Sequence, residues 1–309
     1  MDTPLVYLVV LNWNGFEDTV ECLESCRAIS CPNLRVLLVD NGSEDGSEAR
    51  LRERFPEVEL IETGRNLGFA GGNNVGIRRA LAQGAAYVVL LNNDTVVDPG
   101  FVASLVKTAQ SDPKVGMLCS KIYRFDERDV LWYAGGDMNE WLGLGKHRGD
   151  GERDAGQFDL VAEVNRPTGC SLMVTRALCE RVGLLDEDYF LYCEDLDWGL
   201  RARKAGFKVV YDPGSRVWHK VSRSSAGKQS GVVLYYYSRN MLLCLDRNHP
   251  LPHPLRLVRY GFVLGDAFRA LLALRLPKRR GAAYIWRGAR DYFAGRLGRI
   301  QDAPAAARR

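Results

Sequence analysis

Ala85–Asp98, with the sequence AAYVVLLNNDTVVD, gives the clearest indication of the fold. Its apolar run stops abruptly at Asn92, Asn93 and Asp94. A run of this length and β-branched content is typical of a buried strand in a parallel sheet. Such sheets bind ligands just beyond the carboxyl ends of their strands. The stretch therefore predicts a buried parallel strand with a carboxylate, Asp94, at a ligand site.

A second apolar run upstream ends in the same way. LRVLLVD ends at Asp40 and continues directly into NGSEDGS. Either aspartate alone is better explained as the start of a turn, because Asp followed by Asn or Gly is common in turns. Two acidic groups along one edge of a sheet, however, suit a nucleotide and a divalent metal. Asp40 and Asp94 together therefore favour a nucleotide site.

Strand-like runs alternate with helix-compatible segments through the first hundred residues. The runs YLVVLNW, LRVLLVD, VELIET and YVVLLNN are separated by FEDTVECLESCRAI, SEARLRERF and NNVGIRRALAQG. This β-α-β-α order predicts an α/β fold with a doubly wound, mostly parallel nucleotide-binding sheet flanked by helices. Downstream we expect a helix at Pro99–Ser111, a strand near GMLCSKIYR and an irregular segment at Gly135–Gly156.

A glycine-rich segment, RNLGFAGGNNVG at Arg65–Gly76, lies between a predicted strand and a predicted helix. Glycine lets the backbone approach a phosphate, and a helix N-terminus adds free N–H groups and a favourable dipole. The segment lacks the GxGxxG spacing, which argues against an NAD-dependent oxidoreductase. Combined with Asp40 and Asp94, it favours binding of another kind of nucleotide.

The composition is that of a globular protein, with 309 residues, 46% apolar and 26% charged. The eight cysteines do not follow metal-site spacing, and we expect most of them to be reduced. MDTP runs directly into a strand without a signal-peptide pattern, and no apolar run reaches membrane-spanning length. These features predict a cytoplasmic location.

Three carboxylates, Glu194, Asp195 and Asp197, follow the aromatic stretch Tyr189–Tyr192. They could simply cap the helix that begins there. Neighbouring charge and partial burial could also raise the pKa of one of them and make it a general base. The residues support both interpretations equally. His219, in turn, is better explained as a packed residue unless the fold brings it close to Asp94.

Seven motifs in chain order resemble the family 2 glycosyltransferases of the GT-A fold. Spread over about residues 4–240, they are VVLNWNG, LLVDNGSEDGS, RNLGFAGGNNVG, LLNNDTVVDPG, PTGCSLMVTR, FLYCEDLDWGLRARKAGF and VVYDPGSRVWHKVS. The subgroup most similar to this chain is the rhamnosyltransferase-like enzymes of bacterial cell-surface polysaccharide assembly. The resemblance implies an inverting hexosyltransferase that moves a sugar from a nucleoside-diphosphate-sugar, with dTDP-rhamnose as the first choice, to a hydroxyl of a glycan or lipid-linked glycan. A catalytically idle sugar-nucleotide or glycan-binding module is the alternative.

The resemblance also implies residue roles. Asp195 matches the catalytic base, with Glu194 beside it. Asn92–Asp94 takes the DxD position, where only Asp94 is acidic, so a Mg²⁺ or Mn²⁺ ion would be held by Asp94 with His219 as a further ligand. The sugar or acceptor pocket would include Thr168, Gly169 and Trp218. Donor binding is implied for Leu11, Asn12, Trp13, Asp40, Gly42, Ser43, Asn66, Gly68, Phe69, Gly72, Asn73, Asn74, Asn92 and Asn93.

The C-terminal segment differs in charge from the rest of the chain. Arg247–Arg309 contains fourteen Lys and Arg against three Asp and Glu, whereas the preceding residues are net negative. Leu255–Leu276 mixes apolar residues with Arg, and KRR at Lys278–Arg280 precedes four aromatic residues: Tyr284, Trp286, Tyr292 and Phe293.

This basic, aromatic pattern is typical of peripheral membrane contact. A helical cap packed on the catalytic domain is the main alternative, and nucleic acid is not an expected partner. We predict a GT-A catalytic domain at residues 1–245 and a basic helical extension at residues 246–309, located at the inner face of the cell membrane.

Overall fold

The computed structural model describes residues 3–220, 230–273 and 277–301. Four parallel strands form one half of its ten-stranded sheet, in the order β4-β1-β2-β3. They are β1 (Val6–Asn12), β2 (Leu34–Asp40), β3 (Glu59–Glu62) and β4 (Tyr87–Asn92), connected by α1 (Phe16–Cys26), α2 (Ser47–Arg54) and α3 (Gly68–Ala82). The predicted α/β fold with a mostly parallel sheet is confirmed.

The register of these strands brings their polar ends together. Asn12 at the end of β1 lies opposite Asp40 at the end of β2, and Leu11 lies opposite Asn92 at the end of β4. The apolar runs before these residues are buried, as the unbroken hydrophobic pattern predicts for a sheet covered on both faces. The carboxyl ends therefore form one polar edge.

The other half of the sheet brings later parts of the chain to the same edge. Antiparallel β11 (Ser171–Thr175) lies between β4 and β6 (Val115–Arg124). The long strand β12 (Lys208–His219) is parallel to β6 but antiparallel to the short strand β5 (Thr95–Val97). The β5–β12 pairing sets His219 opposite Thr95, directly after Asp94. These elements are β5 (Thr95–Val97), α4 (Phe101–Ser111), β6 (Val115–Arg124), β7 (Leu131–Tyr133), β10 (Ala162–Glu163), β11 (Ser171–Thr175), α5 (Arg176–Val182) and β12 (Lys208–His219).

Two local predictions were wrong. Gly135–Gly156 is not irregular throughout, because it contains a hairpin of β8 (Gly136–Asn139) and β9 (Leu144–His147). Its strands of four residues are too short to display a clear alternating pattern. The glycines after Gly68 are not a loop either, since they form the first turns of α3. They let the helix approach the sheet, as a Cβ on Gly72 would lie 2.6 Å from Leu11 Cδ1.

The C-terminal helices are α7 (Ser230–Asn248), α8 (His253–Ala273) and α9 (Lys278–Phe293). They share a second hydrophobic core with the catalytic region, in which Leu196 and Leu200 of α6 (Glu194–Lys204) are clustered with Met241 and Leu245 of α7. The predicted division at residue 245 falls inside α7 and stays a prediction. Within the described ranges, no helix combines the length and apolar character needed to span a membrane. Parts of two predicted segments lie outside the described residues. They are residues 221–222 of the last motif and residues 274–276 and 302–309 of the basic segment.

Candidate active site

Asp40 anchors one end of the polar edge. Its Oδ1 accepts hydrogen bonds from Asn12 Nδ2 at 2.8 Å and Ser43 Oγ at 2.6 Å, and its Oδ2 accepts from the Ser43 backbone N–H at 2.9 Å. Thr19 Oγ1 donates to Asn12 Oδ1 at 2.8 Å, and Asn93 Nδ2 lies 2.8 Å from the same Thr19 oxygen. This series of bonds joins the ends of β2, β1 and β4, so it fixes the distance between Asp40 and the Asn92–Asp94 segment.

A cavity of about 250 Å³ opens beside Asp40, and we call it the donor pocket. It includes five of the residues that the sequence assigned to donor binding: Trp13, Asp40, Gly42, Ser43 and Asn66. It also includes residues that the sequence analysis missed: Glu44, Glu48, Glu62, Gly64, Arg65 and Arg299. Arg299 had no local signal, because it lies in the C-terminal extension and reaches the pocket only through the tertiary fold.

Hydrogen bonds from two asparagine side chains fix the start of α3. Asn41, which the sequence analysis missed, donates from Nδ2 to the Gly68 carbonyl at 3.0 Å and accepts at Oδ1 from the Leu67 N–H at 3.0 Å. Asn66 Oδ1 accepts from the Gly68 N–H at 2.8 Å. Gly68 has φ +78° and lies against the Phe190 carbonyl, a position where a Cβ would collide. Only glycine fits there, which explains this part of the motif.

Asn73 and Asn74 are almost fully buried and bond within the fold. Asn73 Nδ2 donates to the Phe69 carbonyl at 3.0 Å. Asn74 Nδ2 donates to the Leu185 carbonyl at 2.8 Å, while its Oδ1 accepts from the Leu185 N–H at 3.2 Å. Their side chains hold α3 in place, so a donor contact would come from their backbone. The roles implied for Leu11, Gly72, Asn73 and Asn74 stay predictions.

Asp195 lies in the first turn of α6 and is half-buried. Its Oδ2 accepts from the Gly169 N–H at 2.7 Å, and its Oδ1 accepts from the Leu196 N–H at 2.7 Å. Phe69 touches the same place, since a Cβ on Gly169 would lie 2.9 Å from Phe69 Cζ and 3.5 Å from Asp195 Oδ2. Burial raises the pKa of Asp195, and these backbone N–H groups oppose that rise. Phe69, Gly169 and Asp195, which the sequence assigned to donor binding, the sugar or acceptor pocket and catalysis, therefore lie together.

Glu194 has a different environment from its neighbour. It is buried, and among the residues described its Oε2 has no hydrogen-bond partner. Burial first, and then the charge of Asp195, raises the pKa of Glu194 well above its usual range. Burial and the neighbouring charge therefore favour the protonated form of Glu194, beside an oriented carboxylate. Thr168, also buried, accepts the Cys170 N–H at 3.4 Å on the strand end that carries Gly169.

Asp94 and His219 meet at the other end of the site. His219 Nε2 lies 3.2 Å from Asp94 Oδ1, and the Lys220 N–H donates to the Asp94 carbonyl at 2.9 Å. Burial opposes a charge on His219, but Cys170 and Asp94 favour it and raise the pKa of His219 to about 10. The fold thus brings His219 close to Asp94. The sequence analysis made this contact the condition for interpreting His219 as a metal ligand and not as a packed residue.

Asp94 offers one carboxylate to a divalent cation at this end, and His219 would join it only as a neutral imidazole, because the imidazolium that its raised pKa favours has no free lone pair. His219 Nδ1 is buried and has no hydrogen-bond partner in the described part of the chain. No group of three His, Cys, Asp or Glu side chains with metal-site geometry occurs among the described residues. Mg²⁺ is commonly held by one or two carboxylates plus substrate phosphates and water, so the Asp94 carboxylate together with a diphosphate would provide suitable oxygen ligands.

Tyr192 was given no separate role by the sequence analysis. Burial raises its pKa to about 12, with further contributions from the charges of Glu194 and Asp94. The phenol is thus within electrostatic reach of both carboxylates. We call the space between Asp94, Tyr192 and Asp195 the catalytic cleft.

Trp218 lies apart from this cleft. Its ring stacks on Tyr123 with 5.7 Å between centroids, and its Nε1 donates to the Arg128 carbonyl at 3.1 Å. Successive strand residues point to opposite faces, so Trp218 faces away from the side on which His219 meets Asp94. The implied place of Trp218 in the sugar or acceptor pocket is therefore not supported by its position. Trp132 contacts the His219 ring instead, with 4.7 Å between centroids.

Comparison with known proteins agrees with this arrangement. A family model described as glycosyl transferase family 2 matches residues 7–181. An N-acetylglucosaminyl-diphospho-decaprenol L-rhamnosyltransferase of Mycobacterium tuberculosis is 29% identical over 269 residues, covering 79% of this chain and 85% of that protein. A dTDP-rhamnosyl transferase, RfbF, of Shigella flexneri is 27% identical over 267 residues, covering 84% and 86%.

A solved structure confirms the fold. The mannosyltransferase PcManGT from Pyrobaculum calidifontis, in complex with GDP-Man and Mn²⁺, superposes with a TM-score of 0.59 at 18% identity. The match covers 94% of this chain and 88% of that one. The family match extends over more than half of the chain and contains Asp40, Asn92–Asp94 and Gly169. The chain therefore belongs to glycosyl transferase family 2 and is a glycosyltransferase.

Proposed function

We propose that the protein transfers rhamnose from dTDP-rhamnose to a hydroxyl of a glycan or lipid-linked glycan, with inversion at the anomeric carbon. The observation that carries this proposal is the orientation of Asp195, whose carboxylate is fixed by two backbone N–H groups beside Phe69 and Gly169. The names of the two relatives support rhamnose as the sugar and a lipid diphosphate as the acceptor carrier.

The proposed chemistry divides between the two ends of the site. The donor pocket holds the base and ribose, and Asp40 accepts from the base. Asp94, with His219 as a neutral imidazole, would hold a Mg²⁺ or Mn²⁺ ion, and that ion would stabilise the negative charge that develops on the leaving diphosphate. Asp195 removes the proton of the acceptor hydroxyl as its oxygen attacks the anomeric carbon. Because one base suffices and no enzyme nucleophile takes part, a single displacement inverts the configuration.

A donor panel tests the assignment of the sugar nucleotide. Binding of dTDP-rhamnose, UDP-glucose and GDP-mannose is measured by calorimetry with Mg²⁺ or Mn²⁺ present. We expect dTDP-rhamnose to bind most tightly and its affinity to fall when the metal is chelated. Tighter binding of a UDP- or GDP-sugar would reject the proposed donor while leaving the enzyme class intact.

Arg299→Ala is expected to raise the KM for the donor about tenfold, the effect of losing one hydrogen bond from a charged group, with kcat nearly unchanged. Arg299 is one of two cations, with Arg65, in a pocket lined by four carboxylates. Arg296→Ala is the matched control, since Arg296 pairs with Asp291 and does not line the pocket. An unchanged donor KM in Arg299→Ala would remove this residue from donor binding.

We also propose peripheral contact with an anionic membrane through α8. Leu255, Val258, Phe262 and Leu272 recur at helical spacing and are between 43% and 64% exposed, and we call them the outer stripe. Arg269 follows the same spacing, and its side chain is largely exposed. Apolar side chains on one helix face with basic neighbours are suited to insertion among lipid headgroups. A membrane surface would also bring a lipid-linked acceptor within reach.

Val258→Asp with Phe262→Asp is expected to lower the partitioning of the protein onto anionic vesicles about tenfold or more, because it removes two inserting side chains and adds repulsion. Co-sedimentation at low and high salt measures this. Leu160→Asp with Val161→Asp, at comparably exposed positions of the catalytic region, is the control. Failure of the unmodified protein to co-sediment at low salt would reject the membrane contact. Truncation is a poorer test, because α8 and α9 share the second core with α6.

A further inference from the structure

The loop just before the proposed base has a strained backbone. Phe190, Tyr192 and Cys193 have φ values of +63°, +66° and +72°, a region that residues other than glycine rarely occupy. Phe190 is the centre of a three-residue turn in which the Leu191 N–H donates to the Tyr189 carbonyl at 2.7 Å. Each such residue is strained and persists only when its surroundings hold it in place.

Asn240, in the middle of α7, holds this loop. It is fully buried, and its Nδ2 lies 2.9 Å from the Tyr189 carbonyl oxygen, 2.8 Å from that of Leu191 and 2.8 Å from that of Tyr192. An amide nitrogen has two hydrogens, so three acceptors share them. All the donor capacity of Asn240 Nδ2 is therefore directed at the strained turn.

Arg239 orients Asn240 and adds a bond of its own. Its Nε donates to Asn240 Oδ1 at 2.8 Å, which turns the NH₂ group of the amide toward the loop. Its Nη2 donates to the Tyr189 carbonyl at 2.9 Å, and its Nη1 donates to the Gly298 carbonyl at 2.6 Å, next to Arg299 of the donor pocket. Arg239 is fully buried, so its charge depends on these carbonyl groups for solvation.

The loop in turn contacts the catalytic cleft on two sides. The Phe190 carbonyl accepts the Phe69 N–H at 2.7 Å and the Ala70 N–H at 3.4 Å, which fixes the start of α3. Phe69 lies against Gly169, whose N–H orients Asp195. At its other end the loop continues into α6, where Asp195 is the second residue. A shift of the loop would therefore move both Asp195 and Phe69.

We infer that Arg239 and Asn240 are positioning residues for sugar transfer, acting through the Tyr189–Cys193 loop to hold Asp195 and Phe69 in productive geometry. This inference rests on the proposed function and assigns a role in turnover to α7, a helix that lies outside the matched family region. Displacement of a catalytic group by about 1 Å can reduce the rate about 10²-fold, so the effect is expected mainly in kcat.

Asn240→Asp tests the inference, because it keeps the size of the side chain but replaces the donor NH₂ group with an acceptor facing three carbonyls. We expect kcat for sugar transfer, per folded molecule, to fall about 10²-fold, while the Kd for dTDP changes less than about threefold. Arg239→Lys is the second variant, and it keeps the charge but loses the planar set of donors. We expect it to lower kcat at least tenfold.

Ser238→Ala is the matched control on the same helix. Ser238 is buried and bonds to carbonyls of α7 and α9, but it does not touch the loop. It should lower the melting temperature with kcat per folded molecule unchanged. The inference is overturned if folded Asn240→Asp or Arg239→Lys retains the wild-type kcat, or if their losses in kcat merely match that of Ser238→Ala. Wild-type protein that releases no dTDP with any acceptor would instead reject the proposed function.

Discussion

Asp195→Asn is expected to lower kcat for sugar transfer by about 10²- to 10⁴-fold, the range for loss of a general base, and to leave donor affinity close to that of the wild type. The amide keeps the shape of the carboxylate and one acceptor for the Gly169 N–H, so the loop and helix should stay in place. It cannot take a proton from the acceptor hydroxyl. Steady-state turnover and donor binding by calorimetry, measured on the same preparation, separate these two effects.

Glu194→Gln provides the comparison for this variant. Burial and the neighbouring charge raise the pKa of Glu194 and so favour its protonated form, which glutamine resembles in shape and charge. We expect Glu194→Gln to lower kcat for sugar transfer much less than Asp195→Asn does. A folded Asp195→Asn protein with near-normal turnover would remove Asp195 from the proposed mechanism. A larger loss for Glu194→Gln would transfer the role of base to Glu194.

Asp94→Ala is the second large effect that we expect, and it should appear only in the presence of a divalent metal. In the proposed role Asp94 binds the cation that neutralises the donor diphosphate, and its loss should lower donor affinity and kcat/KM by about 10²-fold or more. With excess chelator, wild type and variant should bind the donor equally weakly. Calorimetry with Mn²⁺ and with chelator measures both states.

The same experiment has a clear contrary result. If the wild type binds the donor equally well with metal and with chelator, the site does not use a cation through Asp94. The diphosphate would then be neutralised by basic side chains. Lys220 would be the first candidate, since its N–H bonds to the Asp94 carbonyl, but its ammonium group would have to leave Asp18 and Glu21 to reach the diphosphate.

The polar edge of the sheet could be predicted because the hydrophobic runs determine it. Unbroken apolar segments identify buried parallel strands, and their last residues must lie at one edge once the strands align. Asp40 and the Asn92–Asp94 segment follow from this argument alone, whereas Asn12 was implied only by the resemblance to family 2 glycosyltransferases. The contact of His219 with Asp94 could not be predicted in this way, because it depends on the antiparallel β5–β12 pairing across more than a hundred residues.

Residues that act through tertiary contacts gave weaker signals. Nothing near Arg299 in the chain indicates a donor pocket, since the segment is short, basic and irregular. Arg239 and Asn240 are detectable in the sequence as polar residues that interrupt the apolar helical run VVLYYYSRNMLLCL. A buried Arg is rare unless it is paired, so that interruption predicts internal partners without identifying them. The glycines of α3 were misassigned because local sequence cannot distinguish a loop glycine from one needed for close packing.

We expect the protein itself to catalyse sugar transfer with a single base. To test this, the protein is incubated with dTDP-rhamnose, Mg²⁺ or Mn²⁺ and an N-acetylglucosaminyl diphospholipid. The release of dTDP is measured, and the anomeric configuration of the product is determined by NMR. We predict one dTDP for each glycosidic bond formed, release that requires both substrates, and a configuration opposite to that of the donor. Donor binding without release of dTDP would contradict sugar transfer by this protein. A product that retains the donor configuration would contradict transfer by a single base with inversion.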